Sequence, residues 1–299
     1  MYDCVNISYV KPEIIIIRYG EIGLKQNITR RIFENTLIRN IKKSLQKQNI
    51  KFEIERKRAR IYINSTQIED CIKILSKIFG ITSLSPTFKT NIDKKSLKKI
   101  TLNIIENKIT ENTSFALKVN RTGNHDFTSR DIAIFLGDII QKKTKAKVNL
   151  SNPDITLFVE IIDKKAFLFF EKISGAGGLP LSTQGRILAY IDSKEAILAA
   201  WFLIRRGCMP IFLIDNEALY DKVKNFTNNW HCNCYVEGNN KSIQEYAVQK
   251  RCDAIVTGYK VRDFERIKRL EKQIKIPILH PLIGLNDEEI DEKMELIGL

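Results

Sequence analysis

"RILAYIDSKEAILAAW", residues 186–201, decides how the C-terminal part of this chain folds. Arg186–Ile191 is a short apolar run of strand length that stops abruptly at Asp192. Good helix formers begin near Ser193 and continue through Ala199, Ala200 and Trp201. A strand that runs into a helix N-terminus is a common phosphate-binding arrangement, because the helix start offers unpaired N–H groups and partial positive charge. This turn, however, has no glycine and carries two acids, Asp192 and Glu195. After it the alternation continues, with helix 193–206, strand Ile211–Ile214 and helices Leu219–Asn229 and Ser242–Arg251. Strand Ala254–Thr257, helix Arg262–Gln273 and strand Ile278–Leu279 complete it. Strands and helices in turn imply a parallel, doubly wound sheet.

On the N-terminal side lies "SGAGGLPLSTQG", 174–185, the most glycine-rich stretch, which reads as a linker. Before it the order differs. Ile14–Arg18 reads as a strand, and Ile32, Phe33, Leu37, Ile41 and Leu45 give helical spacing from Thr29 to Gln48. Strands Phe52–Glu55 and Arg60–Ile63, a helix Gln67–Phe79 capped by Gly80, and a strand Thr82–Phe88 follow. This βαββαβ order is ferredoxin-like. From Thr90 a further domain reads as helix Lys94–Lys108, strand Phe115–Val119, helix Thr128–Lys142, and strands Ile155–Ile161 and Ala166–Phe170. Thr128 is the expected cap of its helix, with Asp131 in the first turn.

With 299 residues the chain has room for several cores. It has no apolar run long enough to span a membrane and no signal-peptide pattern, so a cytoplasmic protein is expected. Six cysteines without a CxxC pair fit reduced thiols. The net charge of +14 is unevenly placed: residues 1–174 hold 32 Lys/Arg against 18 Asp/Glu, and residues 175–299 hold 17 of each. Such a field draws polyanions, which points to nucleic acid. Arg39, Lys43 and Lys47 recur at i, i+4, i+8, where like charges repel. They are either a face for an anionic partner or simply a solvated face.

Three stretches resemble the tRNA 4-thiouridine sulfurtransferase (ThiI) family: "IRYGEIGLKQNITRRIFENTLIRNIKKSL" (17–45), "LKVNRTGNHDFTSRDIA" (117–133) with "NPDITLFVEI" (152–161), and "GAGGLPLSTQGRIL" (175–188) with "ILHPLIGLNDEEI" (278–290). The resemblance implies an N-terminal ferredoxin-like domain (1–89), a THUMP RNA-binding domain (90–174), a linker (175–185) and a PP-loop-like, adenine nucleotide alpha hydrolase-like domain (186–299). The fold class expected is thus mixed α/β and α+β. The resemblance also implies tRNA as partner, with Arg18 and Lys25 of the first motif and Lys118, Arg121, Asn124, His125 and Arg130 of the second near it, and a homodimer. Arg39 and Lys43 join this tRNA-binding set from the charge pattern. Glu21 matches a family position and is expected to pair with a basic group.

The family activates a uridine with ATP, and a persulfide cysteine then delivers sulfur. Anchored on Ala199, Ala200 and Trp201, its glycine-rich loop falls on Ile191, Asp192, Ser193, Lys194, Glu195 and Ala196; anchored on Ile191, Asp192 and Ser193, it falls on Leu188, Ala189 and Tyr190; neither placement supplies a glycine. Asp192 with Glu195 fits a D-x-x-E capping box, so that the loop caps its own helix; a divergent ATP site, holding ATP and Mg, is the other reading. The segment 229–254 looks shortened, and the chain has no cysteine beyond Cys252. Cys232 and Cys234 in "HCNCY" are the weak candidates for a sulfur carrier; the alternative is two small apolar side chains, and a metal site is not expected. The expected function is to bind and present tRNA within 4-thiouridine modification, a separate ATPase or sulfur-carrier protein supplying the chemistry. An active sulfurtransferase with a divergent loop and a non-catalytic scaffold are the alternatives.

Overall fold

A computed structural model describes residues 11–57, 59–215, 217–232, 235–238 and 242–299, with only the backbone of 235–238. Along the chain the strands are β1 (Ile14–Arg18), β2 (Glu53–Lys57), β3 (Arg60–Asn64), β4 (Ser83–Asn91), β5 (Ser114–Thr122), β6 (Lys147–Val148), β7 (Ile155–Ile162), β8 (Lys165–Phe169), β9 (Ile173–Ser174), β10 (Arg186–Ile191), β11 (Met209–Ile214), β12 (Tyr235–Gly238), β13 (Ala254–Val256) and β14 (Ile278–Leu279). The helices are α1 (Asn27–Lys47), α2 (Ile68–Leu75), α3 (Lys94–Ile105), α4 (Ser129–Thr144), α5 (Lys194–Arg205), α6 (Tyr220–Asn229), α7 (Ile243–Gln249), α8 (Phe264–Gln273) and α9 (Asp287–Ile297). The chain forms two compact units.

The first unit comprises the stretch ending at Ile17, Lys51–Glu69 and Leu84–Ile173. Its strands run β2-β3-β1-β4-β8-β7-β5-β6, the first four in the expected ferredoxin-like order. β4 is one continuous strand through residue 90, with Thr90 opposite Ala166 of β8, so the expected boundary at 89/90 falls inside a strand. β5 lies parallel to β7, as a crossover through α4 requires. The core beneath β5, β7 and β8 buries Leu97, Phe115, Ile132, Leu136, Leu157 and Leu168. Thr128 caps α4 as expected, and with Asp131 it forms a capping box: its hydroxyl accepts from the Asp131 N–H, and the Asp131 carboxylate accepts from the Thr128 N–H.

The second unit comprises Arg18–Ile50, Asp70–Ser83 and Ser174–Leu299. Its sheet has the order β12-β11-β10-β13-β14, and each neighbouring pair is parallel. Alternate residues of β10 serve two cores. Ile187, Ala189 and Ile191 face α5 and α9, while Leu188 joins Tyr246, Ala247 and Cys252 on the other face. Helices on both faces make the sheet doubly wound, as the alternation predicts. α5 is buried from Ala196 to Trp201 and again at Ile204.

Three local expectations are corrected. The helix expected over Gln67–Phe79 ends at Leu75, so Gly80 is no C-cap. Gly80 is needed for another reason: its φ is +98° and a Cβ there would meet Pro180 at 2.9 Å. Ile32, expected on the apolar face of α1, is 56% exposed. The glycine-rich stretch 174–185 is tied down along its length, its N–H groups at Gly175, Gly177 and Leu179 donating to the carbonyls of Thr82, Ile81 and Arg205. Strand β12 and helix α9 have no counterpart in the sequence reading.

The chain's two tryptophans, Trp201 and Trp230, both belong to the second unit, so intrinsic fluorescence follows its unfolding. Phe212 on β11 is fully buried against Phe226. Phe212→Ala is expected to destabilise this unit by about 3–5 kcal/mol, read as a lower urea midpoint of the fluorescence transition.

Candidate functional site

The order of the second sheet reverses between β10 and β13, and ligands of open α/β sheets bind outside the carboxyl ends of the strands at such a switch point. Asp192 and Ser193 follow β10 there, Thr257, Gly258, Tyr259 and Lys260 follow β13, His280 follows β14, and Asp215 follows β11. Gly258 packs against the first turn of α5: a Cβ on it would lie 2.5 Å from the Ala196 nitrogen. Lys260, with a side chain only 12% exposed, reaches Glu195 at 3.7 Å and Asp287 at 2.8 Å. It thereby ties the start of α5 to the start of α9. Arg262 adds a second contact to Asp287 at 3.3 Å.

The expected capping box is absent. Ser193 is the N-cap of α5, with extended backbone, and no side chain caps the helix. Both acids are engaged elsewhere. Asp192 accepts a hydrogen bond from the Tyr259 hydroxyl, and Glu195 faces Lys260. Burial pushes the Asp192 carboxyl above its ordinary range and the Tyr259 phenol up to about 12. The Tyr259 ring lies between the Arg266 guanidinium, 5.3 Å from its centroid, and the His280 imidazole, stacked at 6.1 Å. Tyr190 donates to Asp215 at 3.0 Å. His280 Nδ1 sits 2.7 Å from the Thr257 hydroxyl, while its Nε2 is buried with no hydrogen-bond partner.

The free N–H groups of α5 suit a phosphate. The segment Ile191–Ala196 beside them contains no glycine and carries Asp192 and Glu195. Thr257, Tyr259, Lys260, Arg266 and His280 were missed by sequence reasoning. The signal was there: "AIVTGYK", 254–260, ends a strand paired with the first strand of the sheet, but strand pairing is not written in the sequence.

In the first unit a basic cluster gathers where β5 leads into α4. Arg121, Asn124 and Arg130 are exposed, and His125 is half-buried between them. His125 Nε2 lies 2.6 Å from the Asp163 carbonyl and Nδ1 lies 3.4 Å from Arg121. Nε2–H therefore donates to the carbonyl and Nδ1 accepts from the guanidinium. Gly123, at φ +109°, makes the turn that permits this. Lys57 reaches Asp163 at 3.3 Å, so the supporting hairpin is itself held. Lys118 and Lys172 lie 5.9 and 4.5 Å from the Phe158 ring centroid.

The remaining candidates belong to the second unit. Arg18 ends β1, and Lys25 is exposed, 5.9 Å from the Phe33 ring. Arg39 and Lys43 sit on α1 and line one cavity with Trp230 and His231. Glu21 pairs with Arg206 at 3.5 Å. Cys232 is buried, its thiol directed at the Thr227 carbonyl at 3.8 Å; Cys234 lies outside the described residues. Cys71 and Cys252 are buried too, and burial pushes the Cys252 thiol up to about 11 and raises that of half-buried Cys208. Among the described residues no group of His, Cys, Asp and Glu could hold a metal, and no helix is long and apolar enough to cross a membrane.

Gly258→Ala should force α5 and the β13 end apart and cost about 1–3 kcal/mol in urea unfolding. Burial also holds His231 and His280 below the ordinary imidazole range. The unfolded chain then binds more protons than the folded one below about pH 6.5, so stability present above that value is lost as the pH falls. The fluorescence midpoint is expected to drop between pH 7.5 and 5.5, and to drop less in His280→Gln.

The family model of the ThiI ferredoxin-like domain matches residues 14–85, and that of the THUMP domain matches residues 91–171. A probable tRNA sulfurtransferase of Methanobrevibacter smithii is 32% identical over 334 residues, covering 96% of this chain and 86% of that one. One of Methanocaldococcus jannaschii is also 32% identical, covering 95% and 87%. A crystal structure of a Pyrococcus horikoshii protein superposes with a TM-score of 0.83 at 26% identity, over 96% of this chain and 99% of that one. A 4-thiouridine synthetase crystallised with RNA and ATP shares the fold, with a TM-score of 0.79 at 23% identity over 96% and 85%. By its ferredoxin-like and THUMP regions and by this near full-length identity, the chain belongs to the tRNA sulfurtransferase (ThiI) family.

Proposed function

We propose that this chain binds tRNA and presents it for 4-thiouridine formation without adenylating the uridine itself. The observation that carries the reading is the contrast between its two candidate sites. Arg121, Asn124 and Arg130 offer exposed donors on a turn braced by His125 beside the start of α4, which suits phosphate and sugar oxygens. The loop at the β10 switch point instead carries Asp192 and Glu195 where a nucleotide's phosphates would approach. The described thiols are buried or half-buried, which argues against any of them carrying a persulfide. A separate ATPase and a separate sulfur carrier would complete the reaction, and a homodimer would share the tRNA between two chains. The uncapped start of α5 favours a second reading, an active sulfurtransferase in which the helix N-terminus holds ATP by another geometry.

Calorimetry with ATP, with and without tRNA, separates the two. The expected result is tight tRNA binding and no ATP heat in the intact chain. Release of pyrophosphate from ATP that depends on tRNA would overturn the proposal in favour of the active enzyme. Arg121→Gln/Arg130→Gln should weaken tRNA binding about ten-fold and lower its salt slope by roughly 1 to 2, since each phosphate contact contributes slightly less than one.

A further inference from the structure

Within the second unit, α1, the loop after α2, residues Leu181 and Ser182, and the end of α6 enclose a cavity of about 160 Å³. Arg39 and Lys43 of α1 and His231 line it together with the apolar Phe79 and Trp230. Among the described residues no carboxylate lines it. Two more cations stand close by. Lys77 lies 4.7 Å over the Trp230 ring, and Lys47 donates to Asn228 at 3.3 Å. Arg39 and Lys43 have no ion-pair partner among the described residues.

The walls are fixed. Trp230 stacks on Phe79 at 5.4 Å and its indole N–H donates to the Ile297 carbonyl. His231, two residues after the end of α6, adopts a left-handed backbone, φ +49°, and lines the cavity. Asn40 donates to the Leu181 carbonyl at 3.1 Å and so holds α1 against the 181–182 segment. The burial and the neighbouring Lys47 and Lys77 charges keep the imidazole proton affinity low. A braced cavity lined by cations, with no carboxylate among the described residues that line it, is complementary to an anion.

We infer that this cavity is a second contact for RNA, seating one backbone phosphate between Arg39, Lys43 and His231; the inference rests on the RNA-binding reading above. The neighbourhood selects the source. Arg39, Lys43 and Lys47 follow one another at about 6 Å along α1, a row that a chain of phosphates can use and a free nucleotide cannot.

The test measures binding of a labelled tRNA transcript to the full chain across a salt series. It compares wild type with Arg39→Gln/Lys43→Gln and Arg121→Gln/Arg130→Gln, with thermal melts to show that both variants fold. In parallel, tryptophan fluorescence follows titration with inorganic phosphate and with AMP, Trp230 being the local reporter. The expected result is that Arg39→Gln/Lys43→Gln weakens tRNA binding about 5- to 20-fold and lowers the salt slope by about 1 to 2, while AMP gives no saturable signal below millimolar concentration. Unchanged affinity and slope in Arg39→Gln/Lys43→Gln, with a loss in Arg121→Gln/Arg130→Gln, would overturn the cavity as a contact and leave the RNA reading standing. A micromolar AMP or phosphate signal that Arg39→Gln/Lys43→Gln abolishes without affecting tRNA would assign the cavity to a free ligand instead. Failure of wild type to bind tRNA would overturn the RNA reading and this inference together.

Discussion

Helix α5 is buried along most of its length, so its neighbours have to fit it. A helix with apolar residues on all sides, Ala196–Trp201 and Ile204, is stable only when covered on every face. In the second unit β10 covers one side, α9 contributes Ile290 and Ile297, and Phe79 and Trp230 close over Trp201. The position of α5 in turn fixes what stands at its N-terminus. Gly258 is there because nothing larger fits against Ala196, and Lys260 is there because Glu195 needs a countercharge in a half-buried site.

The same packing explains why the switch point holds a network of side chains. Asp192, Tyr259, Arg266 and His280 contact one another around the end of the sheet through a hydrogen bond, a cation–π contact and a stacked pair. A buried acid without partners would be costly, and Tyr259 lowers that cost by donating to it. Charge follows a different logic elsewhere in the chain. In the first unit the cations around the β5–α4 turn project outward, while the polar atoms that brace them, the Asp163 carbonyl and the Asp131 carboxylate, are used in fixed hydrogen bonds.

Some of this was legible in local chemistry. The Thr128 cap was read correctly because a cap needs only a suitable residue at one helix start, and the structure completes it as a box with Asp131. The parallel sheet was read correctly because strands and helices of the right length alternate. The Asp192–Glu195 box failed although its spacing is equally good. There, partners more than sixty residues away, Tyr259 and Lys260, compete for both carboxylates and win. Gly80 failed in the same way: its left-handed backbone serves a close approach to Pro180, a contact across a hundred residues, and not the nearby helix end.

The sequence by itself determined most of the segments that become strands and helices, the ferredoxin-like order of the first four strands, the confinement of excess positive charge to residues 1–174, and the absence of glycine between Ile191 and Ala196. These depend on residue type and on period along the chain, which short-range sterics and solvation translate directly into structure. Only the tertiary structure decided which side chains meet: Arg39 and Lys43 with Trp230 and His231 around a cavity, His125 with Asp163, and Tyr259 between Arg266 and His280. Those meetings depend on strand pairing and helix packing between segments far apart in sequence, where the burial of apolar surface fixes positions and the polar groups take the partners that remain within reach.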